Sequence, residues 1–120
     1  MMKAFRGFGA LALIATVGVA LVSASAGGSL RSQKKYQSYC ASCHGSDGKG
    51  NGTAASGLNP PPANLANCAK MKMRTDEFIY EVIAKGGSAE GLSSAMPEWS
   101  AAFKDRQIHG LVEYSRSFCK

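Results

Sequence analysis

The stretch CASCH, residues 40–44, decides how this chain of 120 residues is interpreted. Two cysteines are separated by two residues, and a histidine follows directly. On a helix, Cys43 and His44 lie three and four positions after Cys40, so the three side chains share one face. The ten preceding residues are mostly helix formers whose apolar and aromatic members recur at near-helical steps. We therefore predict a helix over residues 30–44.

Three chemistries use a cluster of this kind. A redox dithiol requires a preceding strand of a βαβ unit, and the sequence predicts none. A zinc site requires four ligands with a second close pair, whereas Cys68 and Cys119 are far apart, although His109 is one further ligand in principle. Attachment of haem c requires two thiols that span the two vinyl groups of one porphyrin edge and an adjacent imidazole that reaches the iron. The spacing favours one covalent haem c.

The first 26 residues have the composition of an export signal. Lys3 and Arg6 precede an uncharged apolar run, Phe8–Val22, and the small residues Ala24–Ala26 follow it. The run is short for a membrane span, which needs about 20 residues. We predict a cleaved signal peptide over residues 1–26, with an uncleaved anchor as the alternative. The domain over residues 27–120 is then periplasmic, in an oxidising compartment.

The charge of the chain suits protein partners better than nucleic acid. The formal net charge is +6, and without Lys3 and Arg6 it is +4. The basic residues are scattered rather than clustered, which argues against nucleic acid. A modestly basic surface favours transient docking to acidic redox proteins, an electron donor and an acceptor.

Two further helices are predicted, separated by long loops. TDEFIYEVIAKG, residues 75–86, has Thr75 as N-cap and Gly86 as its stop. The last helix runs from Asp105 to about Phe118, and Asp105 is expected to replace the usual Ser or Thr cap. The segments 45–67 and 86–99 are rich in Gly, Asn, Ser and Pro and are predicted to be loops. With no convincing strand, the fold class is all-α.

A haem iron held by His44 has a sixth position to fill. The candidates are Met71, Met73, Met96 and His109. We favour Met96, because it lies in an interhelical loop and Pro97 stiffens the following turn. Met71 and Met73 are expected to be core or surface residues, and His109 is expected to flank the last helix.

These motifs resemble those of the class I c-type cytochromes. The resemblance covers residues 30–119 and rests on CASCHG, GSDGKGNG, PPPANL, MPEW and LVEYSRS. It implies a cytochrome c fold of three to five helices around one covalent haem, with His44 proximal and Met96 distal. It also implies that the first and last helices cross, with Tyr36 near Leu111 and Tyr114, and that a carbonyl of one proline in 60–62 accepts from the His44 ring.

The resemblance implies a set of residues that contact the haem, of which His44 and Met96 bind the iron. The set is Cys40, Cys43, His44, Pro61, Asn64, Leu65, Met96 and Trp99. An apolar pocket is expected from Leu58, Leu65, Phe78, Val82, Trp99 and Leu111. Trp99 has two alternatives, a plain core residue or a donor to a haem propionate.

Cys68 and Cys119 are additional to the family pattern. In an oxidising compartment this remaining pair suggests a disulfide, which would stabilise by roughly 2–4 kcal/mol. The alternatives are free thiols and intermolecular bonds.

The predicted function is that of a monomeric, non-enzymatic, periplasmic one-electron carrier that meets membranes only through partner complexes. One alternative is a small cytochrome subunit of a larger respiratory or oxidising complex. A haem enzyme or sensor is the other, if Met96 does not bind the iron.

Overall fold

The computed structural model describes residues 24–119, and these residues form helices and loops without strands. The helices are α1 (Ala24–Tyr39), α2 (Ala41–His44), α3 (Cys68–Lys72), α4 (Asp76–Lys85) and α5 (Asp105–Ser117), with a 3₁₀ helix over Gly87–Glu90. The predicted all-α class is therefore confirmed. The predicted signal peptide, residues 1–26, lies almost wholly outside the described residues.

The crossing of the first and last helices is confirmed. Tyr36 of α1 is buried, and its ring centroid lies 5.1 Å from that of Tyr114 and 5.0 Å from that of Phe118. A Cβ atom built on Gly110 of α5 would lie 2.4 Å from the Ser32 hydroxyl oxygen. Glycine at position 110 thus permits the close approach of α5 to α1.

The hydrophobic core lies between α1, α4 and α5 and the segments beside them. It comprises Tyr36, Met71, Ile79, Ile83, Ala84, Phe103, Ile108, Leu111 and Val112. Its members on α4 and α5 follow helical spacing, as the apolar stripes of these two helices predict. The packing of one stripe on the other fixes the scaffold from which the loops extend.

The predicted caps of α4 are present, and the predicted cap of α5 is wrong. Thr75 Oγ1 accepts from the backbone N–H of Phe78 at 3.1 Å, and Gly86 ends α4 with a φ of 83°. Asp105 is the first residue of α5 rather than its cap. The preceding Lys104 N–H instead donates to Gln107 Oε1 at 2.9 Å, because the longer glutamine side chain reaches back by one turn.

Short elements depart from the predicted outline. The helix predicted over residues 30–44 begins earlier and is interrupted at Cys40, although Cys40 N–H still donates to the Tyr36 carbonyl at 2.8 Å. Helix α3 and the 3₁₀ helix fall in segments without predicted helices. With five and four residues, they are too short to show a periodicity.

Within residues 24–119, no helix is both long enough and apolar enough to cross a lipid bilayer.

Candidate haem site

A cavity of about 640 Å³ opens between the CASCH turn, the proline segment, α3, α4 and the loop before α5. Every residue of the predicted contact set lines it. These residues are Cys40, Cys43, His44, Pro61, Asn64, Leu65, Met96 and Trp99. The six residues expected to form an apolar pocket also line this cavity. Its size and apolar lining are typical of a cofactor site.

The two motif cysteines occupy one helical turn at the cavity wall. The N–H of His44 donates to the Cys40 carbonyl at 2.9 Å, and that of Cys43 donates to the same carbonyl at 3.2 Å. Both cysteines are half-buried thiols. Burial raises the pKa of Cys40 to about 11, with a smaller contribution from Cys43. A redox dithiol needs a lowered thiol pKa, so this environment disfavours that interpretation.

His44 is oriented by a carbonyl that follows the proline run. Its Nδ1 atom lies 3.1 Å from the carbonyl oxygen of Ala63, so the prediction that a proline of 60–62 supplies this carbonyl is wrong. Because a carbonyl only accepts, Nδ1 carries the proton and Nε2 keeps its lone pair. Burial lowers the pKa of His44 and keeps the ring neutral at pH 7. A neutral, oriented imidazole is the form that binds a metal.

The glycine-rich loop explains why Ala63 lies beside His44. Gly50 N–H donates to the His44 carbonyl at 2.7 Å. A Cβ atom on Gly50, whose φ is 78°, would lie 2.5 Å from the Pro62 carbonyl oxygen. This close approach brings the proline segment against the CASCH turn. The identity of the acceptor depends on this contact, which the sequence alone does not indicate.

Met96 is placed by a loop that is bonded to the end of α4. Its carbonyl accepts from Gly87 N–H at 3.0 Å, and its own N–H donates to the Ser93 carbonyl at 3.2 Å. Trp99 N–H donates to the Ile83 carbonyl of α4 at 3.1 Å. These bonds hold the loop on both sides of Met96 and present its side chain at the cavity.

The other three candidates for a sixth ligand differ in their surroundings. Met71 is buried and lines the cavity, so it also has a thioether at this site. Met73 is 83% exposed. The His109 side chain is 62% exposed and lies 3.7 Å from Asp105 on the outer face of α5. Of the four candidate ligands, Met71 and Met96 therefore line the cavity with their thioethers.

Cys68 and Cys119 meet at the end of α5. Their Sγ atoms are 2.10 Å apart and their Cα atoms 5.1 Å apart. They thus do not join Cys40 and Cys43 in the four-ligand set that a zinc site requires. Within residues 24–119, no three His, Cys, Asp or Glu side chains converge as a metal site.

Three basic residues at the cavity were not part of the predicted set. Lys49, Lys70 and Arg74 line it, and all three are exposed to solvent. Lys70 and Arg74 flank the C-terminal end of α3, which the sequence does not predict. The cavity therefore combines an apolar interior with a basic surround.

The donor set fits a covalently held haem. Two thiols and a neutral imidazole share one turn, a thioether is supplied by a separate loop, and apolar side chains surround the space between them. Thiols of this spacing suit the two vinyl groups, and the imidazole and thioether suit the axial positions of iron.

Comparisons with known proteins identify the family and the fold of this chain. A family model described as cytochrome c oxidase, cbb3-type, subunit III matches residues 30–114. A solved structure titled KustC0563 c-type cytochrome has 24% sequence identity and a TM-score of 0.59, and the alignment covers 74% of this chain and 98% of that one. At this identity the likeness shows the fold. A search of curated proteins found no match. The chain belongs to the cbb3-type subunit III family and is a class I c-type cytochrome.

Proposed function

We propose that this protein is an exported one-electron carrier that holds one covalent haem c between His44 and Met96. Membership of the c-type cytochromes supports haem-based electron transfer in general. The haem iron supplies a reversible one-electron couple when bound. The polypeptide supplies the attachment thiols, the axial groups and the surroundings that set the reduction potential.

The single observation that carries the proposal is the convergence of four donors on one apolar cavity. Cys40, Cys43, His44 and Met96 come from two segments about fifty residues apart and line the same space. The Ala63 carbonyl, 3.1 Å from Nδ1, leaves Nε2 of His44 available for iron.

The cavity surroundings favour a raised reduction potential. The apolar side chains at the wall disfavour the additional positive charge of ferric iron. A methionine thioether that serves as an axial ligand also raises the reduction potential. If protein side chains occupy both axial positions of the iron, a substrate cannot bind to it. The protein then transfers electrons without catalysing a reaction.

Replacement of the two cavity methionines tests the axial assignment. In ferric holoprotein, Met96→Ala should abolish the sulfur-to-iron charge-transfer band, whereas Met71→Leu should preserve it. The reduction potential of Met96→Ala should be lower than that of the unmodified protein. The fall should be a sizeable part of the range of about 0.8 V over which axial ligands set haem potentials. Visible spectra and spectroelectrochemical titration measure both effects.

Each other outcome of this test has a defined meaning. Loss of the band only in Met71→Leu would assign the sixth position to Met71. If the unmodified protein lacks the charge-transfer band, no thioether binds the iron, and a haem enzyme or sensor becomes the favoured function.

We also propose that the basic surround of the cavity docks acidic redox proteins. Lys49, Lys70 and Arg74 lie beside the site, and Lys72 and the strongly exposed Met73 lie between the last two. Exposed cations attract an acidic surface over long range, and the single exposed apolar side chain of Met73 suits a short-lived contact.

The family description gives a second candidate, a small subunit of an oxidase complex. Chromatography of periplasmic and membrane fractions separates the two functions. A carrier should elute as a monomer and exchange electrons more slowly as ionic strength rises. A subunit should co-elute with other polypeptides at low and high salt.

We propose that Cys68 and Cys119 form a disulfide in the exported protein. Their sulfur atoms are within bonding distance, and export supplies an oxidising environment. Alkylation of the denatured holoprotein should label neither cysteine before reduction and both after it. Labelling of both without reductant would contradict the proposal.

A further inference from the structure

Arg116, near the end of α5, joins three acceptors of the segment that follows α3. Its Nε donates to Asp76 Oδ1 at 2.8 Å, its Nη1 donates to the Met71 carbonyl at 2.5 Å, and its Nη2 donates to the Arg74 carbonyl. The arginine side chain is 29% exposed. A planar guanidinium can satisfy three acceptors at once because its donors are fixed in a fork.

The three acceptors belong to one short segment, residues 71–76, of which Met71 and Arg74 line the cavity. Met71 lies in α3, Arg74 lies in the turn after it, and Asp76 is the first residue of α4. The side chains of Met71 and Arg74 both line the cavity, and Met71 is only 6% exposed. Arg116 therefore bonds to the backbone of two residues that form the wall.

The start of the same segment meets α5 through the cysteine pair. Cys68 begins α3, and Cys119 lies just after α5. Residues 68–76 are thus joined to the end of α5 at both of their ends, by Cys119 and by Arg116. Lys70, Met71 and Arg74 of this segment line the cavity, and separation of the segment from α5 would admit water.

We propose that Arg116 is a positioning residue of the haem site. It holds residues 71–76 against α5, keeps Met71 in the cavity wall and excludes water, and thereby raises the reduction potential. Water beside the haem stabilises the more highly charged ferric state, so loss of this contact lowers the potential. The inference rests on the proposed haem site.

Two substitutions at Arg116 separate positioning from charge. Arg116→Lys keeps the positive charge but loses the fork, whereas Arg116→Gln loses both. In the holoprotein both variants should lower the midpoint potential by similar amounts. Amide exchange across residues 71–76 should accelerate at least tenfold in both. Arg106 lies exposed on the same helix, so Arg106→Lys and Arg106→Gln provide matched controls that should change neither quantity.

Two outcomes would overturn the proposal. One is a normal potential and normal exchange in Arg116→Lys. The other is an equal potential shift in Arg116→Gln and Arg106→Gln, which would show an effect of charge at a distance. If neither Arg116 variant folds, Asp76→Ala removes one acceptor and should accelerate amide exchange across residues 71–76 to a smaller extent, and unchanged exchange would then reject the proposal. An unmodified protein without haem would refute the proposed function instead.

Discussion

The two sides of the cavity hold His44 and Met96 by different means. His44 lies on a helical turn, and its ring is bonded to the Ala63 carbonyl. Met96 lies in a loop whose backbone is bonded to Gly87 and Ser93. A thioether sulfur is only a weak acceptor, so the position of the Met96 side chain depends on its backbone and packing. The backbone of His44 is therefore placed by a local helical turn, and one hydrogen bond from a distant segment orients its ring, whereas the placement of Met96 depends wholly on tertiary contacts.

The largest expected difference between the two sides concerns assembly of the holoprotein. His44→Ala removes the imidazole from the attachment motif and should reduce the yield of covalent haem protein at least tenfold. Met96→Ala leaves both thiols and the imidazole in place and should accumulate at near-normal yield. Haem staining of denatured protein, normalised to polypeptide, measures covalent attachment directly.

An unchanged yield of covalent haem protein in His44→Ala would contradict this prediction. A large loss in Met96→Ala would contradict it as well, because attachment would then depend on the loop. Addition of imidazole to cells that express His44→Ala tests whether the missing group is the ring itself, and a partial recovery is expected.

A smaller difference is expected from one added methyl group on each side. A Cβ atom at Gly52 would lie 2.1 Å from the Ser42 carbonyl oxygen, and one at Gly87 would lie 2.2 Å from the Ser93 carbonyl oxygen. Each alanine variant should lose about 1–3 kcal/mol of unfolding free energy through overpacking. Chemical denaturation of the holoprotein measures this loss.

The spectra of these two variants should nevertheless differ. The Cβ atom at Gly87 would also lie 3.1 Å from the Met96 Cβ, so Gly87→Ala should weaken the charge-transfer band. Gly52→Ala should leave that band unchanged, since its contact is with the CASCH side. Equal effects on the band would show that the two sides are mechanically coupled.

The same difference explains what the sequence could predict. The CASCH turn and the caps of α4 depend on short-range spacing and were predicted from the residues themselves. The crossing of α1 with α5 was implied by the resemblance to the class I c-type cytochromes. Met96 was selected from four candidates through its loop and Pro97, and it lies at the cavity.

The details that were missed depend on contacts between distant segments. Ala63 rather than a proline faces His44 because Gly50 approaches Pro62 so closely. Arg116 reaches residues about forty positions earlier in the chain, and no periodicity indicates such a bond. Helix α3 begins after Asn67, whose side chain accepts from Lys70 N–H at 3.1 Å, but its five residues are too few to recognise.

The smallest expected difference is one of pH dependence. On the His44 side, the Lys49 N–H donates to Asp47 Oδ1 at 3.1 Å, and this bond lowers the pKa of Asp47. A lowered pKa in the folded state means that ionised Asp47 stabilises the fold above its unfolded pKa of about 3.9. The stabilisation is lost as pH falls through the lowered folded value.

Asp47→Asn keeps an acceptor oxygen but removes the charge, so its melting temperature should fall slightly below that of the unmodified holoprotein near pH 7. The difference between the two should shrink as the pH falls below about 3.9 and vanish below the lowered folded pKa of Asp47, where the unmodified protein also loses the charge. On the Met96 side, the Ser93 hydroxyl accepts from Ala95 N–H at 3.2 Å and does not titrate. Ser93→Ala should therefore lower the melting temperature by the same amount at both pH values. Parallel pH profiles for the two variants would contradict the assignment of this pH dependence to Asp47.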